Sequence, residues 1–204
     1  VPESVVTDAI LWFDAAEPTT LSYNPDGTLF SWLSKSCRYI ALPLAVSYYN
    51  ATTQESNGPT LGEMANGRPT VDFGDVGSGK DMRYTRFTNI RTVFLVTKIA
   101  NSSNAFLLGD YNNGNGTYHF HRGLNGQYGH PDHAKFASVW NGENPVEWQS
   151  DYVPDNDFQI ISIVTSQNCS SDSLTKDRKI ESRDGGRQLS EIIAFDAAVS
   201  DEEG

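Results

Sequence analysis

The sequence has few cysteines, few basic residues and no long apolar run, and each shortage excludes a class of protein. Its 204 residues include only Cys37 and Cys169, too few for a disulfide framework, and nothing in the sequence decides whether the two pair. The polar residues around Cys169 predict a loop there. No apolar stretch approaches the roughly 20 residues of a membrane-spanning helix, so we expect no membrane insertion of this domain.

Basic residues are outnumbered by acidic ones. The chain has 15 Lys and Arg against 26 Asp and Glu, which gives a formal net charge of −11. Nucleic-acid binding requires clustered Lys and Arg that displace counterions from phosphates, so we expect no nucleic-acid partner. The aromatic fraction of 11% indicates a folded protein, because disordered chains are poor in aromatic residues. The length suits a single domain over residues 1–204.

The sequence also lacks the apolar spacing of amphipathic helices and carries instead short β-branched or aromatic runs. Clusters of Gly, Asn, Asp and Pro separate these runs. Short strands at a spacing of about 8–12 residues, with turns between them, predict a β-sandwich or barrel. The predicted strands are residues 10–13, 39–49, 70–73, 92–99, 105–108, 117–121, 135–140, 158–165 and 189–195.

Two segments carry information about their place in a sheet. Both alternating faces of residues 92–99 are partly apolar, which predicts a central strand covered on both sides. The charged segment 84–87 is predicted to lie nearer an edge or on a wet face of the sheet.

The last residues have the pattern of a helix start. Ser200 and Glu203 have the spacing of a capping box, in which the N-cap hydroxyl and the third helical residue satisfy each other's backbone donors. We therefore expect a helix to begin at Ser200 and the chain to be one module of a longer, multidomain protein.

Four segments share a pattern. Residues 10–16 read Ile-Leu-Trp-Phe-Asp-Ala-Ala, residues 31–36 read Ser-Trp-Leu-Ser-Lys-Ser, and residues 66–73 read Asn-Gly-Arg-Pro-Thr-Val-Asp-Phe. Residues 189–203 fit the ending L-x-E-[IV]-[IV]-x-[FY]-[DN]-x-x-[LV]-[ST]-x-x-E. Together these segments resemble the laminin-G-like jelly-roll branch of the concanavalin A-like lectin/glucanase superfamily, in its bacterial surface type. Ser34 and Cys37 depart from it, because that branch usually has Asp and Gly there.

The resemblance implies an all-β fold: a two-sheet antiparallel jelly-roll sandwich with at most short helical turns, whose first and last strands are neighbours. It also implies a non-catalytic recognition module, secreted or on the cell surface, that binds carbohydrate or acts in adhesion. Its partner would be a glycan or protein ligand, with flanking domains in the parent chain. A structural spacer in a large surface protein or enzyme is the alternative, and a divergent glycoside hydrolase is the second alternative, since one fold hosts many functions.

The catalytic patterns of the glucanases are missing from the sequence. Those enzymes carry E-x-D-x-E or E-x-D-x-x-E on one strand, which places an acid and a nucleophile about 5–5.5 Å apart. No strand here has that spacing, and no G-x-S-x-G is present. The segment 77–80, Gly-Ser-Gly-Lys, fails the phosphate-loop pattern because Asp81 follows the lysine, and Gly77 and Gly79 predict a turn there instead. The prediction is that the protein is not an enzyme.

Two kinds of metal site are conceivable. His119, His121, His130 and His133 fall in one stretch and, with carboxylates, would suit zinc, although exposed strand faces often carry histidine. Calcium needs hard oxygen ligands, and laminin-G-like relatives often hold it in loops. The sequence requires no cofactor, and calcium is the metal that the resemblance implies. The candidate calcium ligands are Asp110, Asn112, Asp155 and Asp157.

One loop combines the groups that bind sugars. Aromatic rings pack on the apolar face of a sugar, and amides and carboxylates bind its hydroxyls. Loops on a rigid sheet often carry binding residues, although a tryptophan in such a loop can simply cap the core. The candidate ligand-binding residues are Trp140, Asn141, Glu143, Trp148 and Tyr152, with Tyr111 and Tyr128 from neighbouring segments.

Overall fold

The described part of the chain consists almost entirely of β-strands. The computed structural model describes residues 8–36, 50–52, 58–99, 106–111, 120–121, 134–141, 144–147, 157–180 and 183–199. In these residues the only helical element is a short 3₁₀ turn at Pro18–Thr20. The strands are β1 (Leu11–Asp14), β2 (Leu21–Tyr23), β3 (Leu29–Leu33), β4 (Asn50–Thr52), β5 (Thr60–Leu61), β6 (Val71–Asp72), β7 (Met82–Ile99), β8 (Phe106–Gly109), β9 (Phe120–His121), β10 (Ala134–Asn141), β11 (Asn144–Glu147), β12 (Gln159–Leu174) and β13 (Arg187–Phe195).

These strands form one continuous antiparallel sheet that curls into two wings, and the long strands β7 and β12 run through both. The first wing contains β11, β10, the first half of β12, the second half of β7, and β13, which also pairs with β1 and β6. The second wing contains β2, β3, β4, the first half of β7, the second half of β12, β8 and β9. The register of β12 on β7 shifts between Val164 and Cys169, where the wings meet.

A single apolar core joins the two wings. Phe13 of β1 belongs to the first wing, and its ring centroid lies 5.3 Å from Trp32 on β3 and 5.9 Å from Tyr84 on β7. Phe13 and Trp32 are both fully buried. The main cluster also contains Ile10, Leu11, Leu29, Val71, Phe73, Met82, Phe87, Ile90, Val93, Leu95, Leu107, Ile161, Ile163, Leu174, Leu189 and Ile192.

The predicted all-β antiparallel fold is confirmed, and the curled sheet is consistent with a β-sandwich. Its described strands are connected in one sheet rather than separated into two. The expected pairing of the first and last strands is also present, because Leu11–Asp14 pairs with residues 191–194 of β13. The strand 92–99 is central as predicted, since β12 and β13 flank it.

Two local predictions are wrong or incomplete. Cys169 lies inside β12 with 1% of its surface exposed, not in a loop. The polar residues around it fit a strand because they are hydrogen-bonded: Ser171 Oγ, for example, bonds the Tyr84 hydroxyl and donates to the Gly109 carbonyl oxygen. The segment 84–87 presents a wet face through Arg86, but Tyr84 faces the core. The predicted strand 39–49, the helix from Ser200 and Cys37 lie outside the described residues.

Candidate functional site

The strands of the first wing carry apolar side chains on both faces. On β7, Val93 and Leu95 are buried in the core, whereas Phe94 and Val96 point the other way and are half-buried. Successive side chains of a strand alternate between the two faces of a sheet, so the second set lies on the side away from the core. We call this side of the first wing the outer face.

The strand register assembles the outer face from four strands. Trp12 on β1 pairs with Ile193 on β13, and Ile193 pairs with Phe94 on β7. Val96 pairs with Ile160 on β12, one row further along. Residues directly opposite each other share a face, so these side chains form one surface. The outer face consists of Trp12, Phe94, Val96, Ile160, Ile193 and Phe195.

This surface is more exposed than a core and more apolar than an ordinary wet sheet face. The side chain of Ile160 is 51% exposed, Trp12, Phe94 and Phe195 are half-buried, and Ile193 is buried among them. The rings of Phe94 and Phe195 meet edge to face with centroids 6.1 Å apart, which fixes their orientation. Among the described residues this surface is apolar and partly exposed, which makes it a candidate interaction site.

A charged network borders the outer face at Trp12. The indole Nε1 of Trp12 donates a hydrogen bond to Glu191 Oε1 at 2.9 Å, and Lys35 Nζ lies 4.1 Å from the ring centroid. Lys35 Nζ also contacts Asp14 Oδ2 at 3.0 Å. Arg68 Nη2 lies 3.1 Å from Asp14 Oδ1 and 3.9 Å from Glu191 Oε2.

The network of Asp14, Lys35, Arg68 and Glu191 has two carboxylates and two cations, so its formal charge is zero. Asp14 and Glu191 are opposite each other across β1 and β13, which brings two carboxylates together beside the half-buried ring of Trp12. Each carboxylate is held by a cation, since Asp14 contacts Lys35 and Arg68, and Glu191 contacts Arg68. The arrangement can bind hydroxyl groups through several donors and acceptors.

Tyr111 is the one predicted ligand-binding residue whose side chain is described. It follows β8 in the second wing, where its half-buried ring has Arg83 Cζ 3.5 Å from the centroid and Lys179 Nζ 5.6 Å from it. The backbone N–H of Tyr111 donates to Asp172 Oδ1 at 2.5 Å. This site is built on β7, β8 and the turn after β12, and the outer face lies on the other wing.

The predicted calcium ligands divide into described and undescribed residues. Asp110 is 2% exposed, and its Oδ2 lies 2.6 Å from Arg86 Nη2 and accepts from Ser170 Oγ at 2.5 Å. Asp157 is exposed just before β12. In the part of the chain that the structure describes, no group of three or more His, Cys, Asp or Glu could hold a metal ion. Asn112 and Asp155 lie outside it, and so do His119, His130 and His133.

The predicted sugar-binding loop is only partly described. Trp140 and Asn141 belong to β10, where the backbone pairs Trp140 with Ile160. Trp140 is the last residue of the predicted strand 135–140, and β10 extends one residue further, to Asn141, before β11 begins at Asn144. Glu143, Trp148, Tyr152 and Tyr128 lie outside the described residues. The site prediction for these residues stays a prediction.

Sequence reasoning missed the outer face although one of its signals was visible. The strand 92–99 was recognised as apolar on both sides, but the second side was assigned to a covering layer. The sequence did not predict that Trp12 belongs to this surface, because only strand pairing shows that residues 12, 193 and 94 form one row.

No protein-family model matches the sequence, and no curated protein or solved structure shows significant similarity to it. The resemblance to the concanavalin A-like superfamily therefore stays an expectation drawn from sequence segments. No helix among the described residues has the length and apolarity needed to cross a membrane.

Proposed function

We propose that the protein is a non-catalytic recognition module that binds a neutral glycan chain on the outer face. The observation that carries this proposal is the row formed by Trp12, Ile193 and Phe94, which is apolar, partly exposed and supported by strand hydrogen bonds. The sequence resemblance to lectin-like jelly rolls supports the same function. We also propose a secreted or cell-surface location for the protein.

The chemistry of a sugar ring suits this surface. One side of many hexoses presents C–H groups that pack on aromatic rings, and the rim presents hydroxyls that need donors and acceptors. The outer face supplies rings through Trp12 and Phe94, and the adjoining network supplies polar groups through Glu191 and Arg68. Because the network is formally neutral, it favours an uncharged ligand over an acidic or basic one.

The support beneath the outer face favours binding without rearrangement. Trp12 and Phe94 stand on strands whose opposite faces are packed in the core through Phe13 and Val93. The hydrogen bond from Trp12 Nε1 to Glu191 holds the indole ring in one orientation. A rigid site loses little conformational entropy when a ligand binds.

The test is binding of soluble neutral polysaccharides, such as glucans, xylan and mannan, by calorimetry and affinity electrophoresis. We expect Trp12→Ala and Ile160→Asp each to weaken binding at least about tenfold, the equivalent of roughly 1.4 kcal/mol. Phe30→Ala is the matched control, because Phe30 is an aromatic residue of the second wing with 52% exposure and should not change binding.

Two results would overturn the proposal. If no polysaccharide binds, a glycan ligand is excluded and the structural-spacer alternative is favoured. Binding that Trp12→Ala and Ile160→Asp leave unchanged would place the glycan elsewhere. Ile160 is half-exposed, so we expect Ile160→Asp to preserve the fold, and it tests the proposal where Trp12→Ala destabilises the protein.

Two further measurements separate the remaining alternatives. Reducing-sugar release that stops in Glu191→Gln would identify a glycoside hydrolase, whose second carboxylate would then be Asp14 across the strand pair. Repeating the titration with EDTA tests calcium: a chelator-sensitive affinity would establish a metal role, and an unchanged affinity would exclude it from binding.

A further inference from the structure

A second cluster, separate from the outer face, surrounds the ring of Tyr111. Arg83 stacks on the ring with its Cζ 3.5 Å from the centroid, and Lys179 Nζ lies 5.6 Å from the same centroid. Guanidinium and ammonium groups are attracted to the faces of aromatic rings, so Tyr111 holds two cations close together.

The donors of this cluster are incompletely used within the described residues. Arg83 donates from Nε to Asp81 Oδ2 at 2.9 Å, and neither of its Nη atoms bonds a described residue. In the same part of the chain, Lys179 Nζ and the Tyr111 hydroxyl have no hydrogen-bond acceptor. Within the described residues, Arg83, Lys179 and Tyr111 therefore each keep at least one hydrogen-bond donor without an acceptor.

The carboxylates of this region are buried and bound by neighbouring cations. Asp81 and Asp110 are 4% and 2% exposed and are bound by Arg83 and Arg86. Asp177 is also 2% exposed. Burial raises its pKa, although hydrogen bonding and the charge of Arg178 act in the opposite direction.

The exposed layer of this region is cationic, in contrast to the net charge of −11 of the whole chain. The side chain of Arg83 keeps 20% of its surface exposed, that of Arg86 keeps 42%, and Lys179 is exposed. Neighbouring cations repel each other, and an anion that accepts hydrogen bonds from both removes the repulsion.

We propose that Arg83, Lys179 and Tyr111 form a binding site for an oxyanion: the carboxylate, sulfate or phosphate group of a small ligand or of a substituted glycan. The guanidinium Nη atoms suit two oxygens at once, the ammonium group neutralises charge, and the phenol hydroxyl adds a third donor. The site is independent of the proposed glycan surface, because none of its residues belongs to the outer face.

The test is titration of the folded protein at low ionic strength with inorganic sulfate, inorganic phosphate and acetate, each as the sodium salt. Binding is followed by calorimetry and by amide chemical shifts of residues 109–111. We expect saturable binding of at least one anion, weakened about tenfold in Lys179→Ala and in Arg83→Gln, because each substitution removes a charge-assisted hydrogen-bond donor. Comparing the three anions identifies whether the site prefers tetrahedral or planar groups.

The control is Lys98→Ala, which removes the same charge from the first wing, where Lys98 pairs with Glu63. Anion binding that never saturates, or that weakens equally in Lys98→Ala and Lys179→Ala, would overturn the proposal as a general charge effect. Tyr111→Phe keeps the ring and removes the hydroxyl, so it tests the third donor if Arg83→Gln fails to fold.

The outcomes for the two surfaces are distinguishable. Trp12→Ala should leave anion affinity unchanged, and Lys179→Ala should leave binding of neutral polysaccharides unchanged. Loss of both activities in either variant would contradict the independence of the two sites.

Discussion

Trp12 and Phe13 are consecutive residues of one strand, yet they serve opposite faces of the sheet. Phe13 is fully buried against Trp32 in the core, whereas Trp12 is half-buried on the outer face beside Ile193. The alternation of a β-strand produces this division, because adjacent side chains point in opposite directions. Stability therefore depends on Phe13 and the proposed ligand binding on Trp12, so single substitutions can change one property without the other.

Replacement of Phe13 tests the core contact between the wings. Phe13→Ala should lower the free energy of unfolding by about 3–5 kcal/mol, because it removes a buried ring and leaves a cavity beside Trp32 and Tyr84. Urea denaturation followed by tryptophan fluorescence measures the change. Phe30→Ala, which truncates a ring that is 52% exposed, should change stability by no more than about 0.5 kcal/mol. Equal losses in both variants would show that Phe13 does not join the wings.

The buried hydrogen bond between Tyr84 and Ser171 makes a second test. The two hydroxyl oxygens lie 2.5 Å apart, and Ser171 also donates to the Gly109 carbonyl oxygen, so Tyr84 is the donor of the shared bond. Tyr84→Phe should lower the free energy of unfolding by about 1 kcal/mol. Ser171→Ala should lower it by about 1–3 kcal/mol, because this substitution leaves the buried Tyr84 hydroxyl without an acceptor.

Urea denaturation of both single variants and the double variant gives the coupling energy of the pair. Tyr23→Phe is the control, since Tyr23 is 42% exposed and its substitution should not measurably change the free energy of unfolding. Additive losses in the double variant would mean that the two hydroxyls do not interact in solution.

The close approach at Gly109 predicts a strong steric effect. A Cβ atom on Gly109 would lie 1.6 Å from the Lys176 carbonyl oxygen, so the backbone after β12 must move to accept any side chain. Gly109→Ala should therefore destabilise the protein by more than about 3 kcal/mol or prevent folding, since overpacking alone typically costs about 1–3 kcal/mol.

Gly27→Ala is the comparison for Gly109→Ala. Gly27 has a φ of +84° and nothing within 4 Å of an added Cβ, so only backbone strain of about 1–2 kcal/mol applies. Differential scanning calorimetry measures both variants. A Gly109→Ala protein as stable as Gly27→Ala would contradict the packing of β8 against the turn at Lys176.

The buried thiol of Cys169 predicts low reactivity and a defined pH dependence. Burial raises the pKa of the Cys169 thiol from 9.0 to about 11, so the folded state holds this proton more tightly than the unfolded state. The stability contributed by the neutral thiol is therefore full below pH 9 and is lost as the pH rises towards 11.

In a Cys37→Ser background, Cys169 should react slowly with a disulfide reagent at pH 8 and rapidly after denaturation. The unfolding free energy should also fall more between pH 9 and 11 than it does in Cys37→Ser/Cys169→Ala, which lacks both thiols. Native-state labelling as fast as that of a free cysteine would contradict the burial of Cys169 in β12.

Much of the fold was predictable because local signals and burial agree within each short strand. The alternation in 92–99 and the apolar run near Phe13 both identified strands. Gly77 and Gly79 marked a turn, and their φ values of +81° and +76° are ones that glycine adopts most easily. The strand character around Cys169 was not predictable, because hydroxyl-rich segments resemble loops until their partners, such as Tyr84 for Ser171, are known.

The candidate sites were less predictable than the fold. Tyr111 was predicted to bind a ligand, but its cationic neighbours Arg83 and Lys179 are distant in sequence and meet it only through β7, β8 and the turn after β12. The outer face likewise required the pairing of residues 12, 193 and 94.

The sequence by itself determined that the chain is acidic, built of strands and poor in cysteine, since composition and period-two alternation are local properties. Only the tertiary structure decided that β7 and β12 run through both wings and that Trp12 lies beside Glu191 and Arg68. The physical reason is that strand pairing joins residues far apart in the chain, whereas composition and alternation are properties of single segments.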